Sequence, residues 1–129
     1  MADLAAHLKD NVLPRVPMRQ WVLSFPLALR YRLAYDRDFA SLVLKRFTQE
    51  VFGWQRRQAK KKLGLSSVRE GHTGGVTSIQ RFGSAANLNL HFHTLIPDGV
   101  FVERNDALEF HRLAGPSAQD LETIAQAYL

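Results

Sequence analysis

The 129-residue chain contains no cysteine. Disulfides and thiolate zinc sites are therefore excluded within it. Any metal it holds must be bound through nitrogen and oxygen, which favours a harder ion such as Mg²⁺ or Mn²⁺ and leaves zinc open. Long apolar runs are missing as well. No stretch approaches the roughly 20 residues of a spanning helix, and the N-terminal MADLAAHLKDN has neither the basic start nor the apolar centre of a signal peptide. The chain reads as cytoplasmic, with no membrane partner. Acidic residues are outnumbered, 12 Asp and Glu against 17 Lys and Arg, for a formal charge of +5 and a pI near 10.0. The carboxylates nowhere form a run that could hold two metals, and no glycine-rich phosphate loop occurs, so a metal-dependent phosphoesterase for small molecules is disfavoured. Internal repeats and low-complexity segments are absent too.

What is present fits one globular domain spanning 1–129, with 46% hydrophobic and 22% charged residues. The cationic excess points to an anionic partner. Lys45, Arg46, Arg56, Arg57, Lys60, Lys61 and Lys62 fall in one segment, and Arg15, Arg19, Arg30, Arg32 and Arg37 precede it. A solvated helix face and a nucleic-acid surface both explain such a run. On the second reading Arg56, Arg57, Lys60, Lys61 and Lys62 meet the phosphates.

Residues 3–13 read as a short helix stopped by Pro14 and Pro17, and 19–25, RQWVLSF, as a strand ending at Pro26. A long helix follows. Asp36 or Asp38 can cap it, Phe39, Val43, Phe47, Val51 and Trp54 form its apolar stripe, and Gly64 can end it near Leu63. Tyr31 and Tyr35 are expected to pack at its entrance, and Trp21 and Trp54 to lie in the core. After a polar linker at 66–75, VTSIQRF (76–82) and LNLHFHTLI (88–96) suggest an antiparallel hairpin. Pro97-Asp98-Gly99 turns the chain into VFVE (100–103), and LEFHRL (108–113) makes a further strand. Turn chemistry alone accounts for Asp98. A last helix opens at Pro116-Ser117 and meets no stop signal before Leu129, which suggests a chain cut within an element. The fold class is α+β, a mostly antiparallel sheet with helices packed on one face.

Within 87–100, NLNLHFHTLIPDGV, two histidines are separated by one residue. Successive strand residues point to opposite faces, so Leu88, Leu90, Phe92 and Ile96 should meet the helices, and Asn87, Asn89, His91, His93 and Leu95 the other side. Two imidazoles on one face are half of a metal site, or an ordinary half-buried pair. His72 and His111 read as surface residues, and His7 as incidental.

NLNLHFHTLIPDGVF, with VTSIQRFGSA before it and VPMRQWVLSFPLALRYRLAYD further upstream, resembles the core of bacterial insertion-sequence transposases of the rolling-circle, two-tyrosine kind. These belong to the HUH endonuclease superfamily, whose central bulky residue is here Phe92. The resemblance runs over residues 5–129 and implies a sheet-centred nickase domain acting on single-stranded DNA at element ends. It implies that His91 and His93 hold a divalent ion that polarises the scissile phosphate, and that a tyrosine attacks to leave a 5′-phosphotyrosine and a free 3′-hydroxyl. A third ligand is usual in such sites. Gln80 is the candidate, with an exposed strand residue as the alternative, and Asn89 orients a ligand or contacts the DNA backbone. Family members carry a cysteine-rich zinc segment upstream and a tyrosine pair downstream, and this sequence has neither. Tyr128 alone follows the histidines, so no catalytic tyrosine is assigned. The expectation is a C-terminally truncated core that binds single-stranded DNA and a divalent ion. The alternative is a non-catalytic single-stranded nucleic-acid-binding module.

Overall fold

The computed structural model describes residues 15–82 and 88–128. The helix expected at 3–13, with His7, and the connection 83–87, with Asn87, lie outside the described residues.

β1 (Met18–Ser24) ends before Pro26, which has no N–H to continue a ladder. The next nine residues form a helix of their own, α1 (Leu27–Tyr35), instead of running straight into the long one. Asp36 separates the two. Its extended backbone breaks α1 while its carboxylate accepts the Phe39 N–H at 3.0 Å and so caps α2 (Arg37–Leu63). Gly64 ends α2 in the left-handed region, φ 67°, which costs a residue without Cβ little.

β2 (Val76–Phe82) and β3 (Leu88–Pro97) follow. They form a three-stranded antiparallel sheet in the order β1-β3-β2. The central strand alternates as its sequence requires: Leu90, Phe92, Thr94 and Ile96 are buried, while Leu95 is exposed. Leu90, Phe92 and Ile96 meet Trp21, Leu23 and Phe25 of the β1 segment, Leu33 of α1, and Phe47, Val51 and Trp54 of α2. Trp21 stands edge-on to Phe47 and Trp54, with centroids 6.4 and 6.1 Å away, so both tryptophans are core residues. Each fully buried large side chain here stabilises the fold by about 1.5–3 kcal/mol. The last helix, α3 (Ala118–Tyr128), packs against α2 and adds Ile124 to the same core.

The sequence suggested one sheet; among the described residues there are two. β4 (Gly99–Arg104) and β5 (Ala107–Arg112) form a separate two-stranded sheet, with one further bridge from Phe101 of β4 to His72. Asn105 and Asp106, both at positive φ, make the two-residue turn between them. Their core is a second cluster of Ala59, Leu65, Val100, Val102 and Leu113.

Asp98 explains the break between the sheets and corrects the reading of it as a turn residue alone. Its backbone N–H donates to Pro17 O and its carbonyl accepts from Leu113 N–H. Its buried carboxylate takes two hydrogen bonds from Arg19, at 3.0 and 3.1 Å, and Arg112 stands 4.0 Å away. Beside it, buried Gln55 donates to Pro97 O at 2.8 Å and accepts from Thr73 at 2.9 Å. Strand β3 is thus tied at its end to β1, to α2 and to the strand after it.

Candidate functional site

Among the described residues all three helices pack on the Leu90, Phe92 and Ile96 face of the three-stranded sheet, and the opposite face is its front. Pairing register decides what the front presents. Ser24, His91 and Gln80 form one cross-strand row, Val22, His93 and Ser78 the next, and Gln20, Leu95 and Val76 the third. Directly paired residues share a face. His91 and His93 therefore stand together, ring centroids 6.0 Å apart, and Gln80 lies directly opposite His91. The sequence left open which histidine Gln80 would adjoin.

His93 has unequal ring nitrogens. Nδ1 is 2.6 Å from the Gln20 side-chain amide. Nε2 is inaccessible to solvent and has no hydrogen-bond partner among the described residues. A buried polar atom left unsatisfied costs about 1–3 kcal/mol, and a divalent cation would satisfy a bare imidazole nitrogen there. Among the described residues no three His, Cys, Asp or Glu side chains gather as a metal site. The front face offers instead two imidazoles and a neighbouring amide, a nitrogen and oxygen donor set consistent with a cysteine-free chain. Asn89 lies in β3 one strand repeat from His91, but its side chain is outside what the structure describes.

Gln20 was not legible in the sequence. Alternation along β1 puts it on the same face as Val22, but the contact with His93 depends on the β1–β3 register, and no local sequence signal sets that.

The cationic candidates divide. Arg56 donates to Gly71 O at 3.2 Å and Lys62 to Arg112 O at 3.0 Å, so both brace the linker and β5. Arg57, Lys60 and Lys61 line an open groove of about 580 Å³ with Gln58, Leu65 and Val68. That groove belongs to the end of α2, in the layer behind the sheet. The basic groove and the histidine face are two surfaces.

Other expectations change. Tyr31 and Tyr35 do not pack against the long helix: they are 62% and 78% exposed, and α1 is held through Leu29 and Leu33. Both belong to the helical layer, across the sheet from the histidines. His72 is a loop residue whose backbone bridges Phe101. His111 is less exposed than expected. Its Nε2 is buried 3.5 Å from the Glu109 carboxylate and has no hydrogen-bond partner among the described residues.

Residues 74–119, which hold β2 to β5 with His91 and His93, match a family model described as a putative transposase. The match supports a transposase family, and with it a role in processing DNA during transposition. No curated protein and no solved structure matches the chain.

Proposed function

We propose that this chain is the core of a transposase of the rolling-circle, HUH type, which nicks and joins single-stranded DNA. The carrying observation is the front face of the sheet, where His91, His93 and Gln80 come together within the residues of the transposase match. His91, His93 and Gln80 would hold a divalent ion, Mg²⁺ or Mn²⁺. Such an ion supplies charge withdrawal from a phosphodiester and orients it for attack.

The chain's own residues do the rest of the positioning. The rigid central strand fixes both imidazoles, which leave room for phosphate oxygens. Val22 and Leu95, 54% and 39% exposed, flank them and offer an apolar ledge on which a base can rest. Covalent attack needs a tyrosine oxygen in line with the scissile bond. Tyr31 and Tyr35 are exposed on the helical layer behind the sheet, and the side chain of Tyr128 lies outside what the structure describes. The covalent step is assigned to none of the three, and these 129 residues bind without cleaving.

Binding of a labelled single-stranded oligonucleotide, with and without Mn²⁺, tests this reading. Mn²⁺ should tighten binding, and His91→Ala with His93→Ala should remove that increment. After denaturation no label should stay on the protein. Metal-independent binding would favour the non-catalytic module, and label surviving denaturation would overturn the assignment of the tyrosines.

A further inference from the structure

We infer that Gln20 is a positioning residue that sets which nitrogen of His93 carries the proton and so makes Nε2 a ligand. The inference rests on the metal reading above and concerns a residue of β1, outside both the His-x-His segment and the stretch matched to the transposase family.

The observation is the pair of environments at one imidazole: Nδ1 stands 2.6 Å from the Gln20 amide nitrogen, and Nε2 is buried with no partner among the described residues. A neutral imidazole carries one proton, and the hydrogen bond at one nitrogen decides the state of the other. Two arrangements satisfy the short contact. If the Gln20 amide nitrogen donates to Nδ1, Nε2 must carry the proton, leaving a buried N–H without an acceptor. No cation can then bind at Nε2. If Gln20 turns its amide by 180°, which exchanges oxygen and nitrogen without moving other atoms, the oxygen accepts from Nδ1–H. Nε2, buried and otherwise unpartnered among the described residues, then carries a bare lone pair. Only this second arrangement lets a cation resolve the orphaned nitrogen, and it matches the general pattern in which a metal-bound histidine donates its other N–H to an oxygen. Gln20 is exposed and belongs to a different strand from His93, so it acts on the tautomer and ring orientation without itself touching the metal.

Two measurements on the full chain decide it. Long-range ¹H–¹⁵N spectra of the metal-free protein, taken where His93 is neutral, should show the Nδ1–H tautomer in the wild type and a mixture in Gln20→Ala. Mn²⁺ affinity should fall by roughly 10- to 100-fold in Gln20→Ala, the usual range for losing such a partner. Gln20→Glu, which can only accept, should keep or raise it. A wild-type Nε2–H tautomer would overturn the inference, as would equal Mn²⁺ affinity and unchanged tautomer in Gln20→Ala. If the wild type binds no Mn²⁺ at all, the metal reading fails, and the tautomer spectra alone still decide what Gln20 does.

Discussion

Asp98 and Asp120 are carboxylates with different work. Asp98 is buried and closes the junction between the two sheets through Arg19, whose pKa is raised by the hydrogen bonds and charge of that carboxylate. Removing Arg19 leaves the Asp98 carboxylate, among the described residues, with the more distant Arg112 at 4.0 Å. Arg19→Ala should therefore lower unfolding free energy by about 1–3 kcal/mol, the cost of an unsatisfied buried acceptor, as read by urea denaturation. A change below about 0.5 kcal/mol would class the pair with ordinary surface contacts. Asp120 instead caps α3. It accepts the Ser117 N–H at 2.9 Å, while its own N–H donates to Ser117 Oγ at 3.1 Å. The Ser117 backbone N–H, foremost, holds its carboxyl below the ordinary value. The folded pKa lies below the unfolded one, so the stabilisation is present above the unfolded pKa and lost as pH falls through the folded one. Asp120→Asn should remove that part of the acid-side loss of melting temperature. Identical acid profiles for the two proteins would contradict the cap.

Elements with a strong period were readable from the sequence, and those fixed by tertiary contact were not. β3 alternates cleanly and α2 carries both its cap and its stop, so their faces and limits follow from local chemistry. Register also made the histidine face legible, because a two-residue period leaves His91 and His93 no choice but to share it. α1 was missed as a separate helix because Pro26 and Asp36 set its limits while its outward stripe is Leu27, Tyr31 and Tyr35, which looks like a buried face in one dimension. These three are 65%, 62% and 78% exposed. Replacing Tyr31 and Tyr35 together by Ser should accordingly change stability by less than about 1 kcal/mol, since exposed positions away from special contacts stay within about 0.5 each. A larger loss in a thermal melt would restore the packing role. The role of Asp98 was hidden for a related reason: Pro-Asp-Gly is sufficient as a turn signal, and Arg19 lies 79 positions away in sequence.

At the scale of the whole molecule, the histidine face and the basic groove occupy different layers. With Arg56 and Lys62 engaged by backbone carbonyls, Arg57, Lys60 and Lys61 remain to neutralise phosphates. At roughly −0.7 per phosphate of a single strand, they contribute a log–log salt slope near −2. Charge reversal at those three positions should flatten the slope by that amount. The loss should add to the loss from the histidine substitutions, because distant sites without shared partners act independently. An unchanged slope would return the groove to the status of a solvated helix end.

The central claim is that the front of the three-stranded sheet holds a divalent ion, and a thermal melt with Mn²⁺ addresses it without DNA or catalysis. An ion bound only by the native state stabilises it by about 2.7 kcal/mol at a hundred times its dissociation constant. The account predicts that Mn²⁺ raises the melting temperature of the wild type by several degrees, that Gln80→Ala reduces the shift, and that His91→Ala with His93→Ala abolishes it. A wild-type melting curve unmoved by millimolar Mn²⁺, or a shift that survives in the double histidine variant, would contradict it.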